Sequence, residues 1–177
     1  MSNFSVSSMH HSRSIETARL ILSQPNDSDI LYLRDLWKNK LVREYLGGVI
    51  DDNLINERIK SIQNHWREKG FGLWTSSIKN TLQITGICGL HHSEDGIEIS
   101  YMFSPEWWGK GLAHEAITAS LNYGFNLLNF EKIIAITQEA NYRSCCLLEK
   151  VGMQLINSFI RFDQKQCLYE ALNKNNT

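Results

Sequence analysis

The stretch Trp107-Trp108-Gly109-Lys110-Gly111-Leu112-Ala113 concentrates residue types that could handle a charged ligand. Gly109 and Gly111 carry no side chain, so the backbone there can turn tightly and approach a bound group closely. A helix starting directly afterwards would turn its free N–H groups outward. With the helix dipole, these make an anion site suited to a pyrophosphate. Two other phosphate loops fit worse. A P-loop needs G-x-x-x-x-G-K-[ST], which the chain lacks. A dinucleotide fingerprint needs a third small residue where Leu112-Ala113-His114 follow. Taken alone, the stretch could also be a plain glycine turn into a helix. Trp107 and Trp108 would then anchor a loop to the core instead of shielding a ligand.

The other reactive side chains point to little else. Cys88, Cys145, Cys146 and Cys167 form no C-x-x-C pair. That spacing supports neither a zinc site nor a disulfide framework, and it suits a reducing, cytoplasmic compartment. His91-His92 and His114 have no carboxylate partner at motif spacing and read as surface or loop residues, so no metal is expected. Lys and Arg total 18 against 19 Asp and Glu, a net charge of −1. Such a balance supplies no basic surface for nucleic acid. No apolar run approaches the ~20 residues of a membrane-spanning helix. With 177 residues, 42% apolar and 21% charged, the chain suits one globular domain. Residues 1–14 are rich in Ser, Asn and His and lack an apolar signal core. They read as a mobile leader before a domain over residues 15–173, and their His10-His11 pair could bind metal adventitiously.

The elements that would position the loop follow from periodicity. Arg19 to Leu22 reads as a strand, and Pro25-Asn26-Asp27 offers N-cap chemistry for a helix carrying Ile30, Leu33, Leu36 and Trp37, ended by Gly47-Gly48. A second helix begins near Asp51-Asp52. Its Ile55, Ile59, Ile62 and Trp66 form an amphipathic stripe, and Gly70 stops it. Three strands follow, over residues 71–77, 82–90 and 97–103. In the third, a period of two puts Glu98 and Met102 on one face and Ile97, Ile99, Tyr101 and Phe103 on the other. After the glycine loop, Ala113, Ile117, Leu121, Gly124 and Leu128 mark a third helix. The continuous apolar run Ile133-Ile134-Ala135-Ile136 suits a strand buried on both sides. A fourth helix runs from near Asn141 to Gly152, and residues 154–162 and 167–171 form a closing hairpin. The order β-α-α-β-β-β-α-β-α-β-β is a mixed α/β (α+β) single domain.

Three segments together resemble one family. Trp108-Gly109-Lys110-Gly111-Leu112-Ala113-His114-Glu115-Ala116 is similar to the acetyl-CoA loop of GNAT acetyltransferases, whose broad pattern is [QR]-x-x-G-x-[GA]. Trp108 replaces the Gln/Arg, a departure common in the Rim-type subgroup, the ribosomal-protein-alanine N-acetyltransferases and their relatives. Asn141-Tyr142-Arg143-Ser144 with Leu148-Glu149-Lys150-Val151-Gly152-Met153 resembles the family's N-x-x-[AS]…E-K-x-G-F segment. Thr17-Ala18-Arg19-Leu20-Ile21-Leu22 resembles the Rim-type opening. The matches keep the family's order and span nearly the whole chain after the leader.

The resemblance implies a central, mixed, splayed sheet flanked by helices, with acetyl-CoA lying in the splay. Met102 and Phe103 would supply backbone contacts to the cofactor. Trp108, Gly109, Lys110, Gly111, Leu112 and Ala113 would hold the pyrophosphate, and Asn141 and Ser144 would meet the cofactor arm. Acetyl transfer to a primary amine needs a base, donors for the oxyanion and an acid for the leaving thiolate. Glu98 is the expected base, directly or through water; the plainer reading is a solvated strand carboxylate. Ser144 is the expected acid, because the family's usual tyrosine position holds Leu148; the plainer reading is a first-turn serine. Tyr101 reads as packing. The expected acceptor is a protein N-terminal α-amine. The alternatives are a small amine (polyamine, aminoglycoside or amino acid) and a non-catalytic acyl-CoA-binding module. The resemblance leaves room for a homodimer.

Overall fold

A computed structural model describes residues 14–174. Eight strands form one sheet in the order β1-β2-β3-β4-β5-β6-β8-β7. They are β1 (Ser14–Glu16), β2 (Leu20–Ser23), β3 (Leu73–Ile78), β4 (Ile84–Ser93), β5 (Gly96–Phe103), β6 (Lys132–Gln138), β7 (Gln154–Arg161) and β8 (Gln164–Leu172). Neighbours pair antiparallel except β5 and β6, which run parallel. The helices are α1 (Ile30–Lys38), α2 (Lys40–Arg43), α3 (Asp52–Lys69), α4 (Leu112–Asn126) and α5 (Tyr142–Lys150).

Strand alternation sorts the helices onto two faces. Cys88, Leu90, Ile99 and Phe103 pack with Leu112, Ala116, Ile117 and Leu121 of α4 and with Cys145 and Leu148 of α5. Ile87 and Met102, from the opposite face, pack with Leu33, Leu36 and Trp37 of α1 and Ile55 and Ile59 of α3. The run Ile133-Ile134-Ala135 is buried, as a doubly covered strand requires. The mixed α/β single domain expected from the sequence is the architecture observed.

The differences have local causes. The first helical region is broken, because Asn39 is extended and its side chain accepts the N–H groups of Leu41 (3.0 Å) and Val42 (3.3 Å), starting α2 afresh. Leu82 adopts a positive φ of 58° in the β3–β4 turn, so β4 begins only at Ile84. At its other end β4 runs through His91-His92-Ser93, which oppose Glu98, Ile97 and Gly96 of β5. These histidines therefore belong to a paired strand, not to a loop. A single 3-10 turn, Pro105–Trp107, lies within the expected loop. Ser14 is part of the short edge strand β1, which is too brief to show a period; the rest of the expected leader, with His10-His11, lies outside the described residues.

Candidate active site

The sheet opens at its parallel junction. β5 and β6 meet at one pair, Glu98 opposite Ile134. Beyond it β5 continues to Phe103 and β6 to Gln138, while each stays paired with its outer neighbour. Which backbone groups face this gap follows from the ladder. Ser104 N–H donates to Thr85 O at 3.0 Å. In an antiparallel pair alternate residues hydrogen-bond, so Met102, Ser100 and Glu98 also direct their backbone to β4. The N–H and C=O groups of Ile97, Ile99, Tyr101 and Phe103 point to the β6 side. Of the expected pair Met102–Phe103, the gap edge thus belongs to Phe103, joined by Tyr101. Met102 spends its backbone on β4 and its side chain on the α1–α3 core. The Trp108 indole N–H donates to Phe103 O at 2.7 Å and closes the end of the gap. The Arg143 guanidinium lies 5.7 Å from the Trp108 ring.

The glycine loop sits at that same end. Gly109 and Gly111 have φ of 71° and 75°, a region that side-chain-bearing residues rarely adopt. Gly111 precedes α4 with no side-chain cap, so the first N–H groups of the helix remain available, as an anion site requires. Leu112 is buried beneath the loop, whereas Lys110 is exposed with its Nζ 4.7 Å over the Trp107 ring.

The loop is tied down from a distant part of the chain. Arg19 Nη1 donates to Lys110 O at 2.8 Å and Arg19 Nε to Glu115 Oε2 at 2.7 Å. The backbone N–H of Arg19 (2.7 Å) and the Thr17 hydroxyl (2.6 Å) both donate to Glu115 Oε1. Burial pushes the Glu115 carboxyl up, but these hydrogen bonds and the Arg19 charge outweigh it and hold the carboxyl below its ordinary range. Sequence reasoning assigned Thr17, Arg19 and Glu115 no role in the site. The signal was their presence in two of the matched segments.

Two groups of side chains flank the gap on opposite faces. Glu98, half-buried on the α1–α3 side, has a carboxyl raised by burial. Nearby Asp95 adds to the rise, while His91, the Ser93 hydroxyl and Arg161 oppose it. His91 Nε2 lies 2.8 Å from Ser100 Oγ, and Arg161 pairs with Asp95 at 3.0 Å. On the α5 side, Asn141 caps the helix by accepting Ser144 N–H at 3.2 Å. Ser144 Oγ lies 2.6 Å from the Tyr101 hydroxyl. Burial pushes the Tyr101 phenol well above its usual value, only partly offset by the Ser144 hydrogen bond. Leu148 is 1% exposed and belongs to the core. Ser144 and the loop glycines therefore border one gap, with Glu98 at its root. Among the described residues, no group of His, Cys, Asp or Glu could hold a metal ion, and no helix is long and apolar enough to cross a membrane.

These features fit acetyl-CoA. An open strand edge can pair with the amides of an extended ligand, and an uncapped helix start can meet a pyrophosphate. The comparisons agree. Residues 19–154 match the family model described as an acetyltransferase (GNAT) domain. Two Bacillus subtilis proteins, YkkB and the N-acetyltransferase YoaA, are each 32% identical over 146 residues, 79% of this chain and 84% and 82% of theirs. An Agrobacterium tumefaciens acetyltransferase superposes with a TM-score of 0.82 at 22% identity, over 89% of this chain and 93% of that one. A Vibrio cholerae spermidine N-acetyltransferase, solved with CoA and spermine, gives 0.75 at 20% identity, over 89% and 97%. A Vibrio fischeri ribosomal-protein-S5-alanine acetyltransferase gives 0.74 at 14% identity, over 92% and 97%. The chain belongs to the GNAT family and is an acetyl-CoA-dependent N-acetyltransferase.

Proposed function

We propose that this enzyme transfers the acetyl group directly to a primary amine, and that the preferred amine is the α-amine of a protein N-terminus. One observation carries the direct route: β5 presents Glu98 to one face of the gap and Tyr101, with its partner Ser144, to the other. A thioester in the gap would meet an amine from the Glu98 side. Glu98 takes the amine proton, directly or through water, as the N–C bond forms. The C–S bond then breaks with its electron pair on sulfur, and Ser144 donates toward that sulfur. Phe103, Gly109, Lys110, Gly111, Leu112, Ala113 and Asn141 hold the ligand, and Trp108 closes the gap behind it.

The preference for an α-amine rests on proton affinity. A peptide α-amine has a pKa near 8, against about 10.4 for a lysine-type amine. A carboxylate is a weak base, and the burial that raises Glu98 narrows the mismatch. The α-amine asks less of such a base. The Rim-like opening Thr17-Ala18-Arg19 supports the same reading. A polyamine is the second reading, favoured by a segment 28% identical over 90 residues to the Escherichia coli spermidine N(1)-acetyltransferase.

The test is thiol release from acetyl-CoA with short peptides of different N-termini, spermidine and aminoglycosides as acceptors. Peptide-dependent release, falling at least about tenfold in Glu98→Gln and Ser144→Ala, is the expected result. Release with spermidine alone would transfer the assignment to the second reading.

A further inference from the structure

Tyr101 occupies an unusual position for a packing residue. Its backbone lies on the open edge of β5, and its side chain leaves the sheet on the α5 face, opposite Cys88. The hydroxyl then reaches Ser144 in the first turn of α5, the helix that follows β6. The phenol therefore ties β5 to the first turn of α5 at a level where β5 and β6 no longer pair. The bond joins residues 43 positions apart and is 2.6 Å long. The ring is held by its packing against the α4–α5 core. Ser144 is fixed from its other side by the Asn141 cap.

A serine hydroxyl rotates freely and has one proton to place. The partner that donates to its oxygen decides where that proton points. We infer that Tyr101 is a positioning residue for acetyl transfer: its phenol donates to Ser144 Oγ, so that the Ser144 proton is aimed into the gap at the departing CoA sulfur. The inference rests on the reading that the gap holds the thioester. When the C–S bond breaks, the electron pair goes to sulfur. The aimed hydroxyl hydrogen-bonds the new thiolate, and CoA takes its proton from water on release. No net proton leaves Tyr101 or Ser144. A chain of two hydroxyls donates more strongly than one, because each bond polarises the next.

The experiment uses the full-length enzyme, the variants Tyr101→Phe, Ser144→Ala and the double substitution, with two readouts. The first is the thiol titration of bound CoA, followed by thiolate ultraviolet absorbance with saturating enzyme and no acceptor. Wild type should lower the bound thiol's midpoint by about one pH unit relative to free CoA, the scale of one hydrogen bond to a charged group. Tyr101→Phe should give back part of that shift, and Ser144→Ala all of it. The second is kcat with the best acceptor. It should fall about threefold to tenfold in Tyr101→Phe and further in Ser144→Ala, while the double variant matches Ser144→Ala alone, since the two hydroxyls act as one unit.

A thiol midpoint unchanged by Tyr101→Phe, with only melting temperature and KM affected, would overturn the inference. So would additive losses in the double variant. A midpoint shift without turnover on any amine would uphold Tyr101 and sink the acceptor assignment instead. Turnover with an unshifted midpoint would do the reverse. Failure of wild type to bind CoA would overturn both.

Discussion

Replacing Arg19 with alanine removes two contacts that hold the glycine loop before α4: the 2.8 Å bond from Nη1 to Lys110 O and the 2.7 Å ion pair with Glu115. The Arg19 side chain is 50% exposed and that of Glu115 only 17%. Solvent screening cuts such an ion pair to ~0–1 kcal/mol. A charge-assisted bond to a loop carbonyl adds ~1.5 kcal/mol at most at this exposure. The sum, about 1–2 kcal/mol, is divided between folding and loop order. If about half falls on the loop, the affinity for acetyl-CoA drops roughly twofold to fivefold, since 1.4 kcal/mol is a factor of ten. The remainder lowers the melting temperature by about 1–4 °C for a domain of this size. Arg19→Lys should not restore affinity, because one ammonium cannot replace a guanidinium fork that serves two acceptors. The assay is calorimetric CoA binding beside kcat and KM for acetyl-CoA. The expected pattern is a raised KM and dissociation constant at nearly constant kcat. A stability loss with unchanged CoA affinity would show that the Arg19 tether does not shape the binding loop, and the reasoning would fail.

Other outcomes follow from the same geometry. Glu98→Gln should lower kcat about a hundredfold. It should also raise the melting temperature at pH 8 but not below about pH 4.3, because the raised Glu98 carboxyl favours the folded state only while protonated and that stability is lost as pH rises through its folded value. Glu115 has the opposite sign: its lowered carboxyl stabilises the fold above about pH 4.3, and this is lost as pH falls through its folded value. Melting curves of Glu115→Gln should therefore converge on wild type in acid. Gly111→Ala places a Cβ 3.4 Å from Arg19 Nη2 at a φ of 75°. The left-handed backbone costs about 1 kcal/mol with a side chain present, so CoA affinity should fall severalfold, as calorimetry would record.

Much of the architecture was written in local patterns. The isoleucine stripe of α3, the doubly apolar run of β6 and the alternation in β5 each reflect a burial period that a single segment carries within itself. The glycines before α4 are likewise legible, because a positive φ is a demand on one residue. Local patterns failed where two segments compete or cooperate. Asn39 ended α1 by capping α2, and His91-His92 became strand because β5 lay opposite.

For the site, the sequence by itself determined the glycine turn into α4, the two faces of β5 and the family. Only the tertiary structure decided that β5 and β6 touch at Glu98 and Ile134 and then part. It also decided that Arg19 meets a loop 91 residues away and that Tyr101 finds Ser144 across the gap. Periodicity reports which way a side chain leaves its own strand. What stands opposite depends on how separate elements pack, and that is a property of the whole chain's topology.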